Sequence, residues 1–166
     1  MAERCSPATV ILGVGNALKG DDSVGPYVVG RLSECAVETL KAIDCGTVPE
    51  NYTSVVRRLR PDHLVIVDAA DMGLPPGSIR IVPKSRAGAL GLSTHSMPLS
   101  MFMDYVDGLV GHVTLVGIQP ERMVLGNGLS YCVRSAADGF VKDICEGRLN
   151  DVPLLGELSF GNDQIR

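Results

Sequence analysis

Apolar residues fall along this chain in two alternating rhythms. Short β-branched or aliphatic runs occupy positions 9–14 (TVILGV), 39–43, 63–67 (HLVIV), 78–82 and 112–118, the pattern of strands buried on both faces. Between them, apolar positions recur at helical spacing. Val24, Val28, Val29 and Leu32 predict a helix starting near Asp22 or Ser23, with Pro26 tolerated in its first turn. Val55, Val56 and Leu59 predict a second, opened by Pro49-Glu50-Asn51 and stopped near Pro61. A third is expected over 98–109. The last is expected over 129–145, where Val133, Ala136, Ala137, Phe140, Val141 and Ile144 share a face. Residues 84–94 have no period and read as a loop.

Strands alternating with helices imply an α/β fold, a three-layer sandwich with a mostly parallel central sheet. The short run at 78–82 follows the turn Leu74-Pro75-Pro76-Gly77 and is expected to run antiparallel beside its neighbour. The 166 residues suit one domain, 1–166. After about residue 147 periodicity fades into a tail, expected to be mobile or to lie across a neighbouring surface.

Composition narrows the function classes. There are 15 basic and 19 acidic residues, four Tyr, three Phe and no Trp. The chain lacks the positive field that binding to DNA or RNA backbones needs, and it is poor in base-stacking aromatics. Arg57, Arg58 and Arg60 read as a solvated helix face. Five cysteines (Cys5, Cys35, Cys45, Cys132 and Cys145) contain no CxxC pair, so neither a disulfide framework nor a zinc knuckle is indicated, and they read as inert thiols. No signal peptide or 18-residue apolar run appears, so the expectation is a cytoplasmic protein without direct membrane insertion.

The polar positions limit the chemistry further. Gly13-Val14-Gly15-Asn16-Ala17-Leu18 begins like a dinucleotide fingerprint but carries Leu18 where the third glycine belongs. Asp21 and Asp22 near a helix start would repel a pyrophosphate; otherwise they read as an N-cap and first-turn acids. There is no phosphate-loop motif, HExxH pair or GxSxG elbow. Asp68 closes the most apolar strand, where α/β proteins place active residues. His95 lies in a loop. If Asp22, Asp68 and His95 converge on one rim of the sheet, they form an N/O ligand set for a borderline divalent metal.

The segment Gly13-Val14-Gly15-Asn16-Ala17-Leu18-Lys19-Gly20-Asp21-Asp22-Ser23-Val24-Gly25 is followed by Asp44-Cys45-Gly46-Thr47, Ile66-Val67-Asp68-Ala69 and Thr94-His95. In this order, over roughly residues 9–145, the chain resembles the nickel–iron hydrogenase maturation endopeptidases. The stretch Asp44 to Asn51 looks like the formate-hydrogenlyase-type branch. The resemblance implies a cytoplasmic, aspartyl-protease-like hydrolase that removes the C-terminal extension of a nickel-loaded hydrogenase large-subunit precursor. It implies Asp22, Asp68 and His95 as both the metal-contacting and the catalytic positions. The nickel would be supplied by the precursor rather than permanently bound. Gly13, Gly15 and Asn16 would shape the turn presenting Asp22, and Gly46 and Thr47 a second substrate-facing loop. A non-cleaving nickel-cluster chaperone, or another α/β hydrolase such as a peptidyl-tRNA hydrolase-like enzyme, remains the alternative.

Overall fold

A computed structural model of the chain describes residues 6–90, 92 and 96–156. Five strands form one sheet: β1 (Thr9–Gly13), β2 (Leu40–Asp44), β3 (His63–Ala69), β4 (Ile79–Val82) and β5 (His112–Ile118). Their order is β2-β1-β3-β5-β4. The first four in that order are mutually parallel, while β4 pairs antiparallel with β5, as the short strand after the Pro-Pro-Gly turn was expected to do.

The helices are α1 (Val24–Leu32), α2 (Thr53–Leu59), a single turn α3 (Lys84–Ala87), α4 (Leu99–Asp107) and α5 (Tyr131–Cys145). Strand side chains alternate between two helical layers, because successive Cβ atoms point to opposite faces. Val10, Leu12, Leu64, Ile66 and Leu115 pack with Val56 of α2 and Leu99, Phe102 and Val106 of α4. Ile11, Val65, Val67, Val116 and Ile118 pack with Val24, Val28 and Leu32 of α1 and with Val133, Ala137, Phe140 and Ile144 of α5. The Tyr27 hydroxyl, donating to Asp138 at 2.7 Å, ties α1 to α5.

Three details depart from the sequence expectation. Residues 84–87 make a helical turn inside the stretch read as a loop. A 3-10 turn, Gly20–Ser23, precedes α1, so Asp21 and Asp22 lie before the α-helix and neither side chain caps it. A second 3-10 turn, Pro49–Tyr52, precedes α2. The chain after residue 147 makes another short turn, Leu149–Asp151, and then runs along β4. There Ile81 N–H donates to Pro153 O at 2.9 Å and Leu155 N–H donates to Ile81 O at 2.8 Å. Leu155 is buried.

Candidate active site

The parallel strands β1, β2, β3 and β5 all end on one rim. From β1 the chain crosses to β2 on one side, whereas β3 lies on the other, so the order reverses between β1 and β3. The rim above such a reversal leaves a crevice between diverging loops, the usual ligand position in open α/β sheets. Asp22 comes from the loop after β1 and Asp68 from the end of β3, the two strands that flank this crevice.

Backbone approach explains the glycine-rich turn. Gly15 has φ +147°, and a Cβ there would lie 1.8 Å from Asp22 O, so the strand end and the Asp22 turn interlock with no room for a side chain. Gly25 packs as tightly: its Cβ would fall 2.2 Å from Val14 O and 2.6 Å from Val67 O. Asn16 supplies direct support. Its N–H donates to Asp22 Oδ2 at 3.0 Å, while its own Oδ1 accepts the Leu18 N–H at 2.9 Å. The second loop joins the same turn: Gly15 N–H donates to Gly46 O at 2.8 Å, and Asp44 Oδ1 accepts the Gly46 N–H at 2.9 Å.

The two carboxyl groups feel each other. Asp68 is buried, and burial followed by the negative charge of Asp22 pushes its carboxyl well above the usual carboxylate range; the Ala69 N–H opposes this only weakly. A pair strained in this way favours the arrival of either a proton or a cation. His95 and its neighbours Ser93 and Thr94 lie outside the described residues. The residue that follows, Ser96, has its hydroxyl bonded to Glu50 in the turn after β2. Among the described residues no cluster of three His, Cys, Asp or Glu side chains stands ready to hold a metal.

Asp21 does something the sequence reading missed. It is fully buried, and its carboxylate accepts the N–H groups of Glu121, Arg122 and Ser130 and the Ser130 hydroxyl, at 2.6–2.9 Å. Burial alone would raise this carboxyl; the bonds from Arg122, Ser130 and Glu121 outweigh it and hold the group below its ordinary value. Asp21 therefore clamps the loop between β5 and α5 beneath the turn that carries Asp22. Gln119, buried at the end of β5, does the same for the segment after β3. Its Oε1 accepts the Met72 N–H at 2.6 Å and its Nε2 donates to Asp71 at 3.1 Å. Its signal was the one that singled out Asp68, a polar residue closing an apolar strand.

Cys45 borders this rim, but burial, then the charge of Asp44, pushes its thiol up to about 12. Such a thiol is a poor nucleophile near neutrality, in keeping with the inert role expected from sequence. Cys5 lies outside the described residues.

Known proteins share much of this chain's sequence and fold. A family model described as hydrogenase maturation protease (HycI) matches residues 26–147. The chain is 42% identical over 113 residues to the hydrogenase 3 maturation protease of Escherichia coli K12, covering 68% of this chain and 72% of that one. The crystal structure of a hydrogenase 3 maturation protease superposes with a TM-score of 0.83 at 32% identity, covering 93% of this chain and 99% of the other. The HycI protease of Thermococcus kodakarensis superposes with a TM-score of 0.76 at 30% identity, covering 84% and 91%.

Proposed function

Because this chain belongs to the hydrogenase maturation protease family, we propose that it cuts the C-terminal extension from a nickel–iron hydrogenase large-subunit precursor. We assign the recognition of precursor-bound nickel to Asp22, Asp68 and His95. The observation that carries this reading is the Asp22–Asp68 pair, set by adjacent strands at the order reversal of the sheet. Burial, then the charge of Asp22, raises the Asp68 carboxyl, and a divalent cation brought in by the substrate offsets the second of these. Two carboxylates with one imidazole suit a borderline ion such as nickel.

The chain's own groups then have separable tasks. Asn16 N–H occupies one oxygen of Asp22 and fixes the direction of the other. Asp68 receives little solvent, so its affinity for a cation is strongly geometry-dependent. Once nickel is seated, the scissile peptide is held beside the rim. Water adds to its carbonyl carbon, the C–N bond breaks, and the proton lost by water ends on the departing amine. Held by Asp22, Asp68 and His95, the precursor's nickel would polarise that carbonyl or lower the pKa of the water.

The deciding experiment is mass measurement of purified precursor, nickel-loaded and nickel-free, before and after incubation with the protein. Shortening of the loaded precursor alone is expected. Asp22→Asn, Asp68→Asn and His95→Ala, each folded by circular dichroism, should lose it. Wild-type rates in all three variants would remove the assigned site, and binding without shortening would instead make the protein a chaperone.

A further inference from the structure

The surface beside the carboxylate pair carries an apolar knuckle that the core does not use. Leu18 is 72% exposed, and across from it Met123, Val124 and Leu125 are 40%, 52% and 69% exposed. Single exposed leucines are ordinary; four large apolar side chains gathered on one protrusion mark an interaction surface.

These side chains are held outward by their backbone. Lys19 and Leu125 form an antiparallel bridge. Gly126 N–H donates to Leu18 O at 3.0 Å, Gly20 N–H to Asn127 O at 2.9 Å and Asp21 N–H to Arg122 O at 3.0 Å. At Gly20 the two segments touch so closely that a Cβ would lie 2.8 Å from Arg122 O. Beneath the bridge, the buried Asp21 carboxylate fastens Glu121, Arg122 and Ser130. The knuckle therefore cannot fold its apolar side chains back into the protein without giving up this ladder.

The same ladder makes the knuckle continuous with the site. Leu18 N–H is bound by Asn16, and Asn16 N–H holds Asp22. Whatever sits on Leu18 and Leu125 is one short rigid turn from the proposed nickel ligand. We propose that this knuckle is the docking seat for the precursor polypeptide, gripping an apolar segment of the large subunit next to the cut while Asp22 and Asp68 read the metal. This rests on the reading of the protein as a precursor protease. It assigns substrate selection to surface contact, separate from the metal-reading groups.

The test compares the full-length protein with Leu18→Glu, Leu125→Glu and the double variant, with Leu154→Glu as a control at an exposed leucine beside β4. Fluorescence titration gives Kd for the purified precursor, and mass-monitored processing gives kcat and KM. The double variant should raise Kd and KM about tenfold or more, with kcat within about twofold of wild type, since the reacting groups are untouched. Leu154→Glu should change neither, and melting temperatures should match because all three leucines are solvent-facing. Unchanged Kd and KM in the double variant overturn the docking seat. So does a wild-type dimer, seen by light scattering, that the double variant abolishes without altering KM; the knuckle would then bind a second copy of the chain. If wild-type protein binds the precursor without cutting it, the protease reading fails while Kd still decides the docking seat. If it neither binds nor cuts, both fall.

Discussion

Replacing Asp21 should injure the fold before it injures the chemistry. In Asp21→Ala, four hydrogen-bond donors lose their acceptor. Glu121 and Arg122 are exposed, so their N–H groups can turn to water. Ser130 is buried, and its N–H and hydroxyl cannot do so as readily. A buried donor left unsatisfied costs roughly 1–3 kcal/mol. With two such donors and the small void from the lost carboxylate, the expected loss is about 3–5 kcal/mol. That is a large fraction of the roughly 5–15 kcal/mol that stabilises an ordinary domain. At this chain length it corresponds to a fall in Tm of roughly 6–20 °C. Urea titration at neutral pH, followed by circular dichroism, measures it directly. The pH dependence carries a sign. Because the folded Asp21 carboxyl is held below its ordinary value, its stabilisation is complete above the unfolded value and drains away as pH falls through the folded one. The gap between wild type and Asp21→Ala should therefore be widest above about pH 5 and narrow below about pH 4. A loss smaller than about 1 kcal/mol at neutral pH would refute the clamp.

Two further outcomes test other parts of the frame. Gly25→Ala places a methyl group against the backbone oxygens of Val14 and Val67, which can yield only by parting the α1 turn from β1 and β3. A destabilisation of about 2–3 kcal/mol or more, with slowed precursor processing, is expected, and a wild-type melting curve would contradict it. At the opposite rim His63 stacks on His112 at 3.8 Å and meets Thr114 Oγ1 at 2.8 Å. Burial, then the neighbouring His112, lowers its pKa to about 4 from 6.5. Between those values the unfolded chain binds a proton that the folded chain refuses, so stability should decline as pH drops from about 6.5 to about 4. His63→Gln should flatten that slope without touching processing at neutral pH; parallel slopes would show that His63 does not titrate this way.

The strands and most helices were legible because the two burial periods were clean. After its opening histidine, HLVIV is apolar at every position, since β3 lies in mid-sheet between two helical layers. The short strand at 79–82 was recognisable from its Pro-Pro-Gly turn. What escaped were features set by long-range contacts. Asp21 and Asp22 are adjacent in sequence, yet a tight turn sends one carboxylate inward to residues 121–130 and leaves the other at the crevice. Periodicity has no means of distinguishing them. Gln119 carries the same strand-end polarity as Asp68, but its task is set by Asp71 and Met72, nearly 50 positions away. The knuckle was invisible for the same reason: Leu18 and Leu125 become neighbours only once β1 and β5 share a sheet. Asp68 could be singled out from sequence because strand-end polarity is a local signal.

The strip of chain along β4 has a consequence for how the molecule is made. A sheet edge with open N–H and C=O groups is a template for pairing with other chains. On β4 that template is covered by residues 153–155, through the bonds at Ile81, and they lie more than 70 positions further along the sequence. The cover thus leaves the ribosome more than 70 residues after the edge it protects. Until it does, the nascent sheet carries an uncovered border on the β4 side. Aggregation during synthesis should therefore depend on when residues 153–155 reach that edge.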